Sequence, residues 1–146
     1  MRTGTKVGIG LAVVAAVIAA VIGYMMLSMS APSDLDLARE KPTMQGLYTV
    51  AIAPETEPFE RNSLHSWTAT VKNADGTPVE NAEITIDGGM PQHGHGLPTA
   101  PAVTASLGEG RYKIEGVRFN MSGWWEFKLK VKAAAGEDDV TFNLSL

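Results

Sequence analysis

From Leu47 to the C-terminus the chain repeats one pattern, apolar residues at every second position in short runs broken by turn residues. A period of two puts alternate side chains on one face of a strand, and turn signals every 8–12 residues or so mark an all-β sandwich. Trp125, Phe127, Leu129 and Val131 make the clearest run, with Glu126, Lys128 and Lys130 between them. Tyr48, Val50 and Ile52 form another, stopped by Pro54, and His65, Trp67, Ala69 and Val71 share a face of the next. Asp75-Gly76-Thr77-Pro78 then turns the chain toward Ala82, Ile84 and Ile86, which end at Gly88-Gly89. Val103, Ala105 and Leu107 lead through Gly108-Glu109-Gly110 to Tyr112 and Ile114. After Ala135-Gly136-Glu137 the last run carries Val140, Phe142, Leu144 and Leu146. This predicts about seven strands and no soluble amphipathic helix. Two antiparallel sheets packed face to face bury such faces, so residues 47–146 are expected to form an immunoglobulin-like antiparallel β-sandwich.

The N-terminus is of another kind. Val7–Leu27 contains no charged residue, and about 20 apolar residues suffice to cross a bilayer as a helix. Arg2 and Lys6 precede the run and the first acidic residues, Asp34 and Asp36, follow it. The positive-inside rule then leaves the N-terminus in the cytoplasm and the domain in the periplasm or outside the cell. The expected organisation is a cytoplasmic stub and transmembrane anchor over 1–30, a Pro-bearing polar tether over 31–46, and the sandwich. The competing reading is a signal peptide cleaved after Ser30, with Ser28 and Ser30 as the small residues of the site. The apolar run is longer than the roughly 7–15 residues of a signal core, which favours a retained single-pass anchor in the cell (inner) membrane. Both readings export the domain.

Of twelve basic and sixteen acidic side chains, only Arg2 and Lys6 precede residue 31, so the exported part carries a formal charge of −6. That argues against nucleic acid as a partner. The absence of cysteine rules out disulfides, a lipoprotein anchor and thiolate metal sites.

One tract exceeds what a turn needs. Gly88-Gly89-Met90-Pro91-Gln92-His93-Gly94-His95-Gly96-Leu97-Pro98-Thr99 holds two of the three histidines. Glycine and proline account for a loop; they do not account for imidazole, the commonest metal ligand. Met121 precedes the strongest strand and His65 opens another, so loops gathered at one pole of a sandwich could bring Met90, His93, His95, Met121 and His65 together. Imidazole and thioether without thiolate suit copper better than structural zinc. Each residue also has a plainer role. Met90 and Met121 fill core gaps, and His65 is a partly buried histidine beside Trp67. Trp124 must face opposite to Trp125, covering a sheet rim or screening a bound Cu(I) through its indole.

The blocks Met90-Pro91-Gln92-His93-Gly94-His95-Gly96 and Phe119-Asn120-Met121-Ser122-Gly123-Trp124-Trp125 resemble those of the YtkA-like domain family, with FixH-like membrane proteins as more distant kin. The resemblance runs from about Leu47 to Leu146. It implies a membrane-anchored or exported immunoglobulin-like domain in bacteria and suggests a link to copper or to respiratory-complex assembly. The copper expectation itself stands on the ligand chemistry. The sequence is therefore read as a non-catalytic, copper-handling module whose partners are the bilayer, through residues 7–27, and a copper donor or acceptor protein. The alternative is an accessory subunit or assembly factor of a membrane complex, docking through the His-Gly-His loop and through an Ala15, Ala16, Ala19, Ala20 stripe on the helix. An enzyme is disfavoured: no cysteine nucleophile or serine elbow is present, and no carboxylate other than Asp87 lies near the histidines.

Overall fold

The computed structural model describes residues 4–28 and 31–146, with only the backbone described for residues 4–9, 11 and 28. It divides into two compact units, Met1–Pro32 and Ser33–Leu146. In the first, Gly4–Ser28 forms helix α1 of 25 residues. Among the described residues no helix is long and apolar enough to cross a membrane. The side chains of Val7–Ile9 and Leu11 are not among those described, so the span over Val7–Leu27 remains a reading of the sequence. The cleavage point after Ser30 also lies outside the described residues.

The second unit is a sandwich of two antiparallel sheets. Strands β1 (Glu40–Pro42), β2 (Tyr48–Pro54), β3 (Leu64–Asn73), β7 (Arg111–Arg118) and β6 (Ala102–Gly108) form one sheet in the order β1-β2-β3-β7-β6. The other, in the order β5-β4-β8-β9, contains β5 (His95–Gly96), β4 (Glu83–Met90), β8 (Trp124–Ala133) and β9 (Gly136–Ser145). The inward faces follow the alternation of the sequence. Tyr48, Val50, Ile52, Trp67, Ala69, Val71, Tyr112 and Ile114 meet Trp125, Phe127, Leu129, Val131, Val140, Phe142 and Leu144 in one buried cluster. Trp67 packs on Phe127 at 5.6 Å between ring centres, and Phe119 meets Trp125 edge-on at 5.2 Å.

Several expectations are corrected. Among the described residues nine strands are present where seven were expected, the additions being the short β1 and β5. The tract from Gly88 to Thr99 is less of a loop than its composition suggests. Gly88–Met90 completes β4, and His95–Gly96 returns beside it as β5, leaving only residues 91–94 as a turn. Ala105 and Leu107 are exposed because β6 is an edge strand whose pairing with β7 is broken by bulges at Val103/Ala105 and Ser106/Gly108. Each extra residue shifts the period by one position. The bulge between His65 and Trp67 has its extra residue in β7, and His65, paired with the buried Val117, keeps the face that Trp67 shares with Ala69 and Val71.

The segment expected as a tether is partly built into the sandwich. β1 pairs with β2, and the Met44 N–H then donates to the Asp139 carbonyl of β9 at 2.8 Å, so this stretch joins both sheets. Asp138 is buried beneath it and accepts from the backbone N–H groups of Gln45, Leu47 and Asp139 at 2.9–3.3 Å. Burial alone would raise this carboxyl. The Thr43 hydroxyl and the three N–H groups outweigh it and hold Asp138 below the ordinary aspartate range. A lowered folded pKa stabilises the fold in full above the unfolded value of about 3.9 and loses that contribution as pH falls through the folded value. Asp138→Asn is therefore expected to lower Tm at pH 7 and to flatten the fall in Tm below about pH 4. Thermal melts of both proteins across pH check this; equal Tm at pH 7 would remove the role.

Candidate functional site

One pole of the sandwich collects the end of β2, the start of β3, the β4–β5 hairpin, the β7–β8 loop and the end of β9. At the hairpin tip the Met90 carbonyl accepts from His93 N–H at 3.1 Å and Gly94 N–H at 3.0 Å, and Gly94 has φ +66. Met90 lies directly across from His95, and Gly89 from Gly96. This closeness requires glycine. A Cβ on Gly89 would lie 2.3 Å from the His95 carbonyl oxygen, and one on Gly88 2.3 Å from that of Glu126. Two adjacent glycines inside a strand were the sequence signal for such an approach, although they read there as a strand stop.

The hairpin sets two imidazoles side by side on the surface. The rings of His93 and His95 are 5.9 Å apart and inclined by only 22°. His95 also meets the edge of the buried Trp125 ring at 5.8 Å. Its Nδ1 lies 3.1 Å from the Gly96 carbonyl oxygen. A carbonyl only accepts, so Nδ1 is the donor here, and in the neutral ring Nε2 is the nitrogen left to bind a ligand. Metal-binding histidines are commonly held this way, with the far nitrogen donating to a carbonyl or carboxylate.

Both methionines reach the β7–β8 loop. Trp125 Nε1 donates to the Met121 carbonyl at 3.0 Å, and the Met121 side chain is 37% exposed. Met90 is fully buried, as core packing requires, yet its Cε lies 3.2 Å from where a Cβ of Gly123 would stand. Its thioether end therefore reaches the loop that carries Met121. Sequence reasoning did not foresee Trp125 as the common neighbour of His95 and Met121.

His65 is not brought to the pair. Its Nε2 donates to the Glu60 carbonyl at 2.6 Å, and its ring packs against Phe59 and Phe119 at 6.0 and 6.3 Å. Trp124 lies across β8 from the indole that His95 touches; its Nε1 donates to Asn143 at 2.9 Å. Trp125, not Trp124, borders the histidines. Among the described residues no three His, Asp or Glu side chains are grouped to hold a metal ion. The chemistry on offer is two exposed imidazoles side by side. Two imidazoles sharing one ion, each with its nitrogen at about 2 Å, have ring centres up to about 6 Å apart, and the 5.9 Å of this pair lies at the upper end of that range.

Taken together, fold and site define a small all-β sandwich that presents a histidine hairpin at one pole. The chain belongs to the YtkA-like family, whose family model matches residues 43–130. Its fold is similar to that of a DUF4426 family protein from Pseudomonas aeruginosa PAO1, known from a crystal structure, with a TM-score of 0.55 and 17% sequence identity over 75% of this chain and 96% of that one. No curated protein matches the sequence.

Proposed function

We propose that the protein is a membrane-anchored, exported module that binds copper without catalysing a reaction. The His93–His95 pair carries this reading: two exposed imidazoles at a spacing one ion can bridge, with His95 fixed in the tautomer that frees Nε2. The methionine thioethers carried by the same loops favour Cu(I), and among the described residues no third His or carboxylate joins the pair as a zinc site would require. Helix α1, with 25 residues and about 37 Å of length, exceeds the roughly 30 Å of a hydrocarbon core. Apolar residues occupy all sides of it, as in a helix that lipid surrounds. We further read the sandwich as immunoglobulin-like, because the order β2-β3-β7-β6 facing β4-β8-β9 is that of a constant-type immunoglobulin domain.

Titration of the full chain in detergent with Cu(I), Cu(II) and Zn(II) tests the function, read by competition and by tryptophan emission. One equivalent of copper is expected to bind and to quench Trp125. His93→Ala and His95→Ala should each weaken copper at least about tenfold, near 1.4 kcal/mol. Met121→Leu should weaken Cu(I) more than Cu(II) and leave Tm unchanged. Copper binding that survives both histidine substitutions would transfer the hairpin to the docking role.

A further inference from the structure

We propose that the hairpin pole is a lipid-docking face, which the domain lays against the surface of the membrane that anchors it. The inference rests on the anchor reading and is independent of copper.

Two observations carry it. The first is where the chain enters the domain. Asp36 accepts from Asn143 Nδ2 at 3.0 Å, and the Arg39 carbonyl accepts from the Ile52 N–H at 2.8 Å. The Arg39 guanidinium lies 5.9 Å from the ring centres of both Phe59 and Trp67 and pairs with Glu57. Phe59 in turn packs against His65 and Phe119. Entry is thus at the hairpin pole. Only residues 29–35 separate Ser28 from Asp36, a span of at most roughly 28 Å when fully extended.

The second observation is the surface there. Among the described residues of the sandwich unit, the exposed large apolar side chains are Leu37, Met44, Leu64, Leu107 and Met121. Leu37, Leu64 and Met121 belong to this pole. Leu64 is 70% exposed at the start of β3, and the backbone joins its loop to the β7–β8 loop through Asn62 N–H and the Phe119 carbonyl at 2.8 Å. Singly exposed apolar side chains are ordinary; three around the point where a short tether enters are not explained by the fold. The charges here are mixed. Arg39 is paired with Glu57 and Lys113 with Glu115, and Arg61, Arg118 and Glu60 lie on the segments that meet here. With a domain of charge −6, docking is therefore driven by apolar contact and does not need anionic lipid.

The absence of cysteine permits single nitroxide labels at Ser63→Cys, on this pole, and Asp75→Cys, on the opposite one. The full chain is placed in phosphatidylcholine nanodiscs containing a nickel-chelating lipid. Relaxation at residue 63 is expected to exceed that at 75 several-fold and to persist at high salt. Leu37→Ser with Leu64→Ser should bring it down toward the value at 75 while copper affinity is unchanged. Equal relaxation at the two labels, or a difference that the serine pair leaves intact, overturns the docking face. A dependence on anionic lipid overturns its apolar basis. A chain that fails to enter the nanodiscs overturns the anchor as well, and this is read separately by co-migration.

Discussion

Trp125→Ala is expected to cost about 3–5 kcal/mol of stability, the range found when a large buried aromatic is truncated. The side chain is fully buried, meets Phe119 at 5.2 Å and donates to the Met121 carbonyl at 3.0 Å. Removing it opens a cavity beneath the hairpin and leaves that carbonyl without its donor. Trp124→Ala, on the other face of the same strand, should cost clearly less, because its ring is half-buried and its N–H is replaceable by water. Denaturant unfolding of the two variants decides between them. Equal losses would mean that burial at this pole does not control the fold.

Gly89→Ala is expected to damage both the fold and the site. The added Cβ would lie 2.3 Å from the His95 carbonyl oxygen and 3.0 Å from Gly96 Cα, both backbone atoms. β5 must then move away from β4, at a cost of about 1–3 kcal/mol for overpacking. The same shift separates His95 from Trp125 and alters its spacing to His93, so copper affinity should fall by more than tenfold. Gly94→Ala is the control. It has open space around its Cβ position and only the strain of φ +66 to overcome, so it should affect copper far less. Parity between the two glycines would show that strand closeness does not shape the site.

Most of the sandwich was legible because its core obeys a simple period. Where alternation was long and bounded by turns, as in β8, the buried set matches residue for residue; in β9 Val140, Phe142 and Leu144 are buried as read, while Asp138 joins them and Leu146 is only half-buried. Reading failed where backbone geometry breaks the period. The bulges in β6 turned Ala105 and Leu107 outward. β1 and β5 were missed because strands of three and two residues carry no period of their own; each is held by the neighbour it pairs with. The histidine pair was legible as a chemical oddity in its surroundings. Its platform, Trp125, was not, because an inward tryptophan already had a sufficient reason to be there.

The stitched segment from Asp36 to Thr43 has a mechanical consequence. β1 runs antiparallel to β2 from the hairpin pole inward, and its carbonyl and amide bonds lie across that direction. Force applied to the chain upstream and directed out of this pole loads those bonds side by side, in shear, together with the ion pair of Lys41 and Asp36 at 2.7 Å. The same force directed sideways would part them one after another. Resistance to detachment should therefore depend on pulling direction, strongest along the strand axis, and the first structure to yield under lateral load would be β1, before either sheet opens.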